Sequence, residues 1–281
     1  MTFDFTQQVI NEFRANEGRV GGWLEGARLL LLTSTGARTG RPHTVPLGYL
    51  PDGAERTLVI GSAGGAPRHP AWFHNVLADP RVQVESGAFH YAADAAVITG
   101  AERDRLFARA VEADPGWGQY EVRSGRTLPV VALYAVPGPP QPTARTTPGR
   151  GLALLHDAFR RELALIRAEV AASGAGLGTQ LRVNCLTLCQ GLSNHHGGED
   201  IAMFPALARS CPELAPTIDR LSGEHERIAA LLAQLQAVLD APAADPTRLL
   251  AEVDRLVDAL EAHLTYEEEQ LIPVLDALMP A

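Results

Sequence analysis

The chain has 281 residues, enough for two ordinary domains, and its hydrophobic fraction of 46% and charged fraction of 20% are those of a globular protein with a real core. This composition excludes intrinsic disorder, collagen-like repeats and small disulfide-rich scaffolds. All 24 basic residues are arginine, and 33 acidic residues bring the net charge to −9, which disfavours nucleic-acid binding.

The charge divides the chain into two unlike halves. Residues 1–150 carry 15 arginines and 14 acidic residues, a net charge of +1, whereas residues 151–281 carry 9 arginines and 19 acidic residues, a net charge of −10. The amino terminus lacks the basic and apolar regions of a signal peptide, and the sequence has no apolar run long enough to span a bilayer. We therefore expect a cytoplasmic protein of two domains without an integral membrane segment.

The first half reads as a compact β domain. A short amphipathic segment around residues 9–13 comes first, and helices are expected near 70–78 and 101–113. Strand-like runs bounded by turn residues lie at 29–33, 44–50, 57–62, 82–84, 89–98 and 128–136. Strands this close together favour an antiparallel sheet or small barrel, and no G-x-G-x-x-G or P-loop supports a nucleotide-binding fold of the Rossmann or Walker kind.

Two loops of this domain could bind an anion. The loop at 35–41, T-G-A-R-T-G-R, offers backbone N–H groups together with Arg38 and Arg41. A hairpin turn with solvated arginines is the other interpretation, and spacing alone favours it. The loop at 61–70, G-S-A-G-G-A-P-R-H-P, leads into a helix and places Arg68 and His69 near its amino end, although it could also be only a tight connection.

Together with their neighbours, these loops resemble the deazaflavin-dependent nitroreductase family. The resemblance is carried by L-L-L-L-T-S-T-G-A-R-T-G-R-P-H-T-V-P-L-G-Y at 29–49, G-S-A-G-G-A-P-R-H-P-A-W-F-H-N at 61–75 and Y-E-V-R-S-G-R-T-L-P-V at 120–130. It implies a split β-barrel related to FMN-binding folds, spanning 1–136, that binds coenzyme F420 and transfers hydride. By this resemblance the cofactor's anionic tail contacts Arg38, Thr39 and Arg41, and its pocket is shaped by Ser62, Ala63, Gly64, Gly65, Ala66, Trp72 and Asn75.

Three positions leave alternatives open. Many relatives have lysine where this chain has Ala63 and a basic residue where it has His43, so the choice between F420 and FMN stays open. Tyr120 is the candidate catalytic residue, in the sense of orienting the substrate, and a core tyrosine is the competing interpretation.

The segment 137–149, P-G-P-P-Q-P-T-A-R-T-T-P-G, is predicted to be the linker, because proline cannot continue a helix or a central strand. Beyond it, residues 150–281 show apolar residues at alternating spacings of three and four, which predicts an antiparallel four-helix bundle. Each apolar stripe contains one histidine: His156, His195, His225 and His263.

The spacing of these histidines is duplicated. His195 is followed by Glu199 and a proline in the pattern H-x3-E-x5-P, and His263 is followed by Glu267 and a proline in the same pattern. Residues four apart share one helix face, so each pair can reach one centre. A lone buried histidine is more often a core residue than a ligand, but four histidines with two carboxylates suit a pair of iron or manganese ions.

The second half resembles the hemerythrin-like (HHE cation-binding) family. The motifs are His156, H-H-G-G-E-D at 195–200, E-H-E at 224–226 and H-L-T-Y-E-E-E at 263–269. The resemblance implies two non-haem iron ions bridged by Glu199 and by Glu267 or Glu268. The oxygen carriers of the family have a further histidine where this chain has Ala229, which implies an open position at one iron. His196 and Asp200, one residue out of phase, are expected in an outer shell or at the surface.

The leading hypothesis is an F420-dependent oxidoreductase that passes hydride to a quinone, nitro compound or similar small acceptor. Its di-iron domain would serve redox chemistry with, or sensing of, dioxygen, peroxide or nitric oxide. The alternative is a non-catalytic sensor or binding protein that holds the same cofactors. Neither hypothesis involves nucleic acid, and a homodimer is compatible with both.

Overall fold

The computed structural model describes residues 3–53, 55–138, 141–143, 146–173, 176–241 and 245–278. The chain divides into two compact units, Met1–Ala144 and Arg145–Ala281. None of the described helices is long and apolar enough to cross a membrane.

The first unit is a closed antiparallel barrel. Its strands are β1 Leu29–Thr35, β2 Pro42–Pro51, β3 Arg56–Ile60, β4 Arg81–Ser86, β5 Phe89–Ile98 and β6 Val130–Ala135. They pair in the order β4-β1-β2-β3-β6-β5, and β4 also pairs with β5, so the six strands form a ring. Helices α1 Phe3–Ala15, α2 Ala71–Ala78, α3 Gly100–Ala113 and α4 Gly116–Ser124 surround it. The six predicted strands and the barrel are confirmed.

Alternation along the strands explains how the barrel is packed. Leu30 and Leu32 join an interior cluster that receives side chains from all six strands and from α2, whereas Leu31 packs against α1. On β3, Val59 faces the interior while its neighbours Leu58 and Ile60 pack with α3. Strands β1 and β3 therefore have two buried faces, which explains why their runs are largely apolar, whereas β4 alternates buried valines with exposed polar residues.

The boundary between the two units falls after Ala144, inside the segment predicted as the linker, 137–149. Residues Gln141–Pro142 form a short strand, β7, that pairs with Phe89 and His90 of β5. The first helix of the second unit begins at Pro148, with the Thr147 side chain accepting a hydrogen bond at its amino end. Proline is tolerated at a sheet edge and in the first turn of a helix, so a proline-rich linker can contain short regular elements.

The second unit is an antiparallel bundle of long helices. Its elements are α5 Pro148–Ala172, α6 Thr179–Gly198, a π-helical turn Glu199–Met203, α7 Phe204–Ser210, α8 Ala215–Asp240 and α9 Pro246–Leu278. Ion pairs Arg160–Glu261 and Arg167–Asp254 fix the opposite directions of α5 and α9. Leucine, isoleucine and valine from all four long helices, with buried Cys185, make the core. The predicted helical bundle is confirmed.

Candidate metal centre and cofactor loops

A polar cluster is buried in the bundle core, where the helices bring together the residues that the H-x3-E-x5-P repeats predicted. One group is His156, His195, Glu199 and Glu267, and a second is His196, His225 and His263. Within each group, one donor atom per residue lies within 4.8 Å of all the others. Apart from His195, which is only slightly exposed, these side chains are buried.

The imidazole Nε2 atoms form two facing pairs, with 3.2 Å between His156 and His195 and 3.2 Å between His225 and His263. Two nitrogens at this separation could both bind one ion ~2.1 Å from each. Glu199 lies between the pairs, with its two oxygens 3.3 Å from His195 and 3.5 Å from His225. This arrangement suits two adjacent cations joined by a carboxylate.

Glu267 mirrors Glu199 on the other side of the cluster. Its Oε2 lies 3.5 Å from Nε2 of His156 and 3.6 Å from Nε2 of His263. All four oxygens of Glu199 and Glu267 are buried without a hydrogen-bond partner among the described residues. Burial raises the pKa of both carboxyl groups, and repulsion by neighbouring carboxylates adds to the effect. Such a pair is costly unless cations compensate it.

Carboxylates form hydrogen bonds with the Nδ1 atoms of three of the imidazoles. The Nδ1 atom of His156 lies 2.8 Å from Glu268, that of His225 lies 3.0 Å from Asp200, and that of His263 lies 3.1 Å from Glu224. Hydrogen bonds of this kind fix the ring and leave Nε2 free to bind a metal. Glu268 therefore lies outside the cluster that contains Glu267, and its observed contact is with His156 rather than with the centre.

The outer carboxylates are themselves anchored. Arg160 donates to Glu268 at 2.7 Å, and Arg220 donates to Glu224 at 2.9 Å. Burial opposes ionisation of both carboxyls, but these hydrogen bonds and those with the imidazoles lower the pKa of Glu268 and of Glu224. Both groups therefore stay ionised at neutral pH while the central carboxyls resist ionisation.

The imidazoles of His195 and His263 are neutral at physiological pH. Burial lowers the pKa of His195 to about 3 and that of His263 to about 4, with repulsion between the rings as a further cause for both. A neutral imidazole presents a lone pair, which is the form that binds a metal.

His196 departs from the expectation that it lies in an outer shell or at the surface. It is buried, its ring stacks on that of His225 with 4.2 Å between centroids, and its Nε2 lacks a hydrogen-bond partner among the described residues. The helix changes locally from α to π at Glu199–Met203, just before Pro205. His196 itself lies in the regular last turn of α6, and its burial shows that both neighbouring residues, His195 and His196, reach the polar cluster.

In the barrel, the loop at 35–41 is a hairpin connection between β1 and β2, as the simpler interpretation predicted. Arg38, Thr39 and Arg41 are all exposed on it. Its backbone is tied to α2, because Asn75 accepts a hydrogen bond from the N–H of Ala37 at 3.0 Å and donates to Ser34 at 3.0 Å. The two arginine side chains are thus presented to solvent from an anchored turn.

The loop at 61–66 is held by Arg126. This guanidinium donates to the carbonyl oxygens of Gly61 at 2.9 Å, Ser62 at 3.0 Å and Ala66 at 3.2 Å. It also lies 2.9 Å from Nδ1 of His69. Within the turn Ala63, Gly64 and Gly65 all have positive φ, a conformation that glycine tolerates best. The loop therefore has a fixed, strained shape that depends on an arginine 60 residues downstream.

Helix α4 covers this loop. Arg123 packs so closely on Gly65 that a Cβ added there would lie 2.8 Å from Arg123 Cδ. The Arg123 guanidinium lies 5.7 Å from the ring centre of Tyr120, and that half-buried ring makes an edge contact with Trp117. Tyr120 is thus beside the glycine loop. Trp72, in contrast, packs in the barrel interior, so it supports the site from within.

A barrel with exposed cationic and glycine-rich loops and a bundle enclosing imidazoles and carboxylates define a fusion of a cofactor-binding domain with a cation-binding domain. The family described as F420H(2)-dependent quinone reductase matches residues 6–135, and the hemerythrin HHE cation binding domain matches residues 149–275. The chain therefore belongs to the F420H(2)-dependent quinone reductase family and carries a hemerythrin HHE domain. Both resemblances noted in the sequence are confirmed.

Named relatives align with the first unit. The F420H(2)-dependent quinone reductase of Mycobacterium tuberculosis is 36% identical over 125 residues, which are 43% of this chain and 83% of that protein. A Mycobacterium bovis protein gives the same values. A solved structure described as an F420-H2 dependent reductase is 34% identical and covers 38% of this chain and 93% of its own, with a TM-score of 0.35.

Sequence reasoning overlooked Arg126, Arg123 and Glu224 as parts of these sites. Arg126 and Arg123 both lie in the motif at 120–130, and Glu224 lies in the E-H-E motif, but the sequence pattern gave none of them a role. Their partners are far away in sequence: 60 residues separate Arg126 from Ala66, and 39 separate Glu224 from His263. The carboxylate of Glu224, next to the candidate ligand His225, was the available signal for the bundle.

Proposed function

We propose that the first unit is an F420-dependent oxidoreductase that reduces a quinone or similar small acceptor, and that the second unit holds two iron ions. The observation that carries the first part is the 36% identity to a protein named F420H(2)-dependent quinone reductase, over 83% of its length. The second part depends on the buried donor set, in which two carboxylates each approach two imidazoles from different helices.

Reduced F420, when bound, supplies a hydride, and the residues of the barrel position it. Arg38 and Arg41 offer exposed guanidinium groups for the anionic tail, with the Thr39 hydroxyl between them. The pocket is shaped by the loop of Ser62, Ala63, Gly64, Gly65 and Ala66. Asn75 anchors the arginine hairpin to α2, and Trp72 supports the pocket from the barrel interior. FMN is the alternative occupant, because its phosphate would also suit the arginines.

Tyr120 is proposed to orient the acceptor. Its ring lies beside Arg123, whose side chain covers Gly65 of the cofactor loop, so an acceptor stacked over that loop would meet the Tyr120 side of α4. The arrangement offers an aromatic face on which a flat ring can stack and a guanidinium that can donate to the oxygen atoms of a quinone or a nitroarene.

In the bundle, His156 and His195 are proposed to bind one iron, His225 and His263 the other, and Glu199 and Glu267 to bridge them. Iron bound there would supply redox chemistry with dioxygen, peroxide or nitric oxide, or a means of sensing them. The chain's own contribution is to orient the imidazoles of His225, His263 and His156 through Asp200, Glu224 and Glu268, and to exclude water from the centre.

Steady-state oxidation of reduced F420 by the full, iron-loaded chain tests the enzymatic part. We expect turnover with at least one member of a panel of quinones and nitroarenes, and none without an acceptor. Cofactor binding without turnover of any acceptor would favour the sensor interpretation instead. Absence of F420 binding would contradict the proposed cofactor, and a parallel titration with FMN would show which flavin-like group the barrel accepts.

A further inference from the structure

His196 lies inside the polar cluster, but the proposed di-iron site gives it no role. His196 is only 5% exposed, and its Nε2 is without a hydrogen-bond partner in the described part of the chain. An imidazole nitrogen buried in this way destabilises the fold unless a ligand satisfies it. A ligand bound at Nε2 of His196 would therefore stabilise the fold.

The surroundings of His196 are those of one half of the proposed metal pair. Its ring centre lies 4.2 Å from that of His225 and 5.2 Å from that of His263. One nitrogen from each of these three rings lies within 4.8 Å of the others. Because the His196 ring is stacked on that of His225, it has to turn about its side-chain bonds to point its nitrogen at an ion that His225 also binds, with bonds of ~2.1 Å.

Helix α8 does not provide a further ligand where the family resemblance pointed. Ala229, the position of the absent histidine, is exposed, whereas the adjacent Ile228 is 1% exposed and packs in the hydrophobic core. The buried face of α8 one turn beyond His225 is therefore apolar. His196 reaches the same half of the cluster from α6, beside the π-helical turn that begins at Glu199.

We propose that His196 is a ligand of the second iron ion, the one assigned to His225 and His263, and that it takes the place of the histidine absent at Ala229. The inference rests on the proposed di-iron function. It predicts three imidazoles at the second ion and two at the first, His156 and His195, with both bridging carboxylates shared. The position left open by Ala229 is thereby filled.

Paramagnetic proton NMR of the wild-type chain loaded anaerobically with ferrous iron tests this without any substitution. Each iron-bound imidazole gives a strongly shifted, solvent-exchangeable N–H signal, so five such signals are expected. Four signals, with the same count in the His196→Gln variant, would overturn the role of His196. A wild type that binds no iron would instead contradict the di-iron proposal, so the two failures are distinguishable.

Ferrous-iron titrations of His196→Gln and His196→Gly measure the consequence. Since glutamine lacks the imidazole nitrogen, we expect the second ion to bind at least ~10-fold more weakly while the first is retained. Free imidazole should restore the second ion in the glycine variant by occupying the space left by the ring. Unchanged affinity for two ions in both variants would overturn the proposal. Asn194→Gln, at an exposed position two residues earlier, is the control.

Discussion

The candidate site of the bundle is buried, whereas that of the barrel is exposed. In the bundle, donor groups converge in the core, and four carboxylate oxygens are buried without partners among the described residues. In the barrel, Arg38 and Arg41 lie exposed on a hairpin, and the adjacent glycine loop is shaped by hydrogen bonds to Arg126. A buried site can be recognised because its unpaired polar groups destabilise the fold unless a ligand binds them. An exposed site has no such signature, so its ligand has to be identified from related proteins.

The comparison also predicts how each site responds to change. Loss of one donor in the bundle leaves the remaining polar groups buried and unsatisfied, so effects should be large. Loss of one exposed arginine in the barrel removes a contact that water partly replaces, so effects should be smaller.

The largest effect is expected for Glu267→Gln. An amide keeps the shape of the side chain but removes the charge that two cations would share, so iron affinity should fall at least ~100-fold. The metal-free variant should unfold at the same or a higher temperature than the wild type, because a buried carboxyl is gone. Iron titration and thermal unfolding measure the two effects. Exposed Glu269→Gln is the control, and retention of full iron binding by Glu267→Gln would contradict the bridging assignment.

Arg126→Ala should weaken F420 binding by ~10- to 100-fold, because three loop carbonyls lose a charged donor worth roughly 1–3 kcal/mol in total. Arg126→Lys should recover only part of the affinity, since an ammonium group cannot reproduce the spread of the guanidinium. Fluorescence titration of F420 measures both. Iron content should stay at the wild-type level, and equal F420 affinities for all three proteins would show that the loop does not depend on Arg126.

Arg41→Ala and Arg38→Ala should each weaken F420 binding by roughly 3- to 10-fold, as expected for exposed, charge-assisted contacts. The deficit should shrink as salt rises, because solvent-exposed ion pairs are screened. Arg19→Ala, another exposed cation of the same unit, is the control. If the arginine variants and this control bind F420 equally well at low salt, the hairpin does not contact the cofactor's tail.

The smallest effect is a release of protons when iron binds. Because burial raises the pKa of Glu199 and Glu267, the metal-free folded chain retains protons at neutral pH that iron must displace. Calorimetry in buffers of different ionisation enthalpy should detect about one proton released at pH 7. The raised pKa values also affect the stability of the metal-free fold. Glu199 and Glu267 contribute fully to that stability below pH ~4.5, and the contribution is lost as the pH rises through their raised pKa values. Iron binding without proton release would contradict the shift.

The sequence predicted elements well where periodicity decides the structure. The six strands and the helical stripes with one histidine each follow from alternation and from the spacing of three and four, and Glu199 and Glu267 follow from the same rule. His196 was misplaced because the polar cluster is wide enough for two adjacent residues of α6, His195 and His196, to reach it, which a single-stripe pattern does not show. The partners of His263 and of Arg126 depend on contacts between distant segments, which a local pattern does not contain. The homodimer and the cytoplasmic location stay predictions.

The central claim is that Glu199 and Glu267 join two iron ions into one centre inside the bundle. The most direct measurement is the Mössbauer spectrum, in an applied magnetic field, of the full chain loaded with ⁵⁷Fe and oxidised. Bridging carboxylates between adjacent ions predict a spin-coupled diferric pair with a diamagnetic ground state that accounts for all bound iron. Isolated high-spin ferric iron, at one ion per chain, would contradict the account.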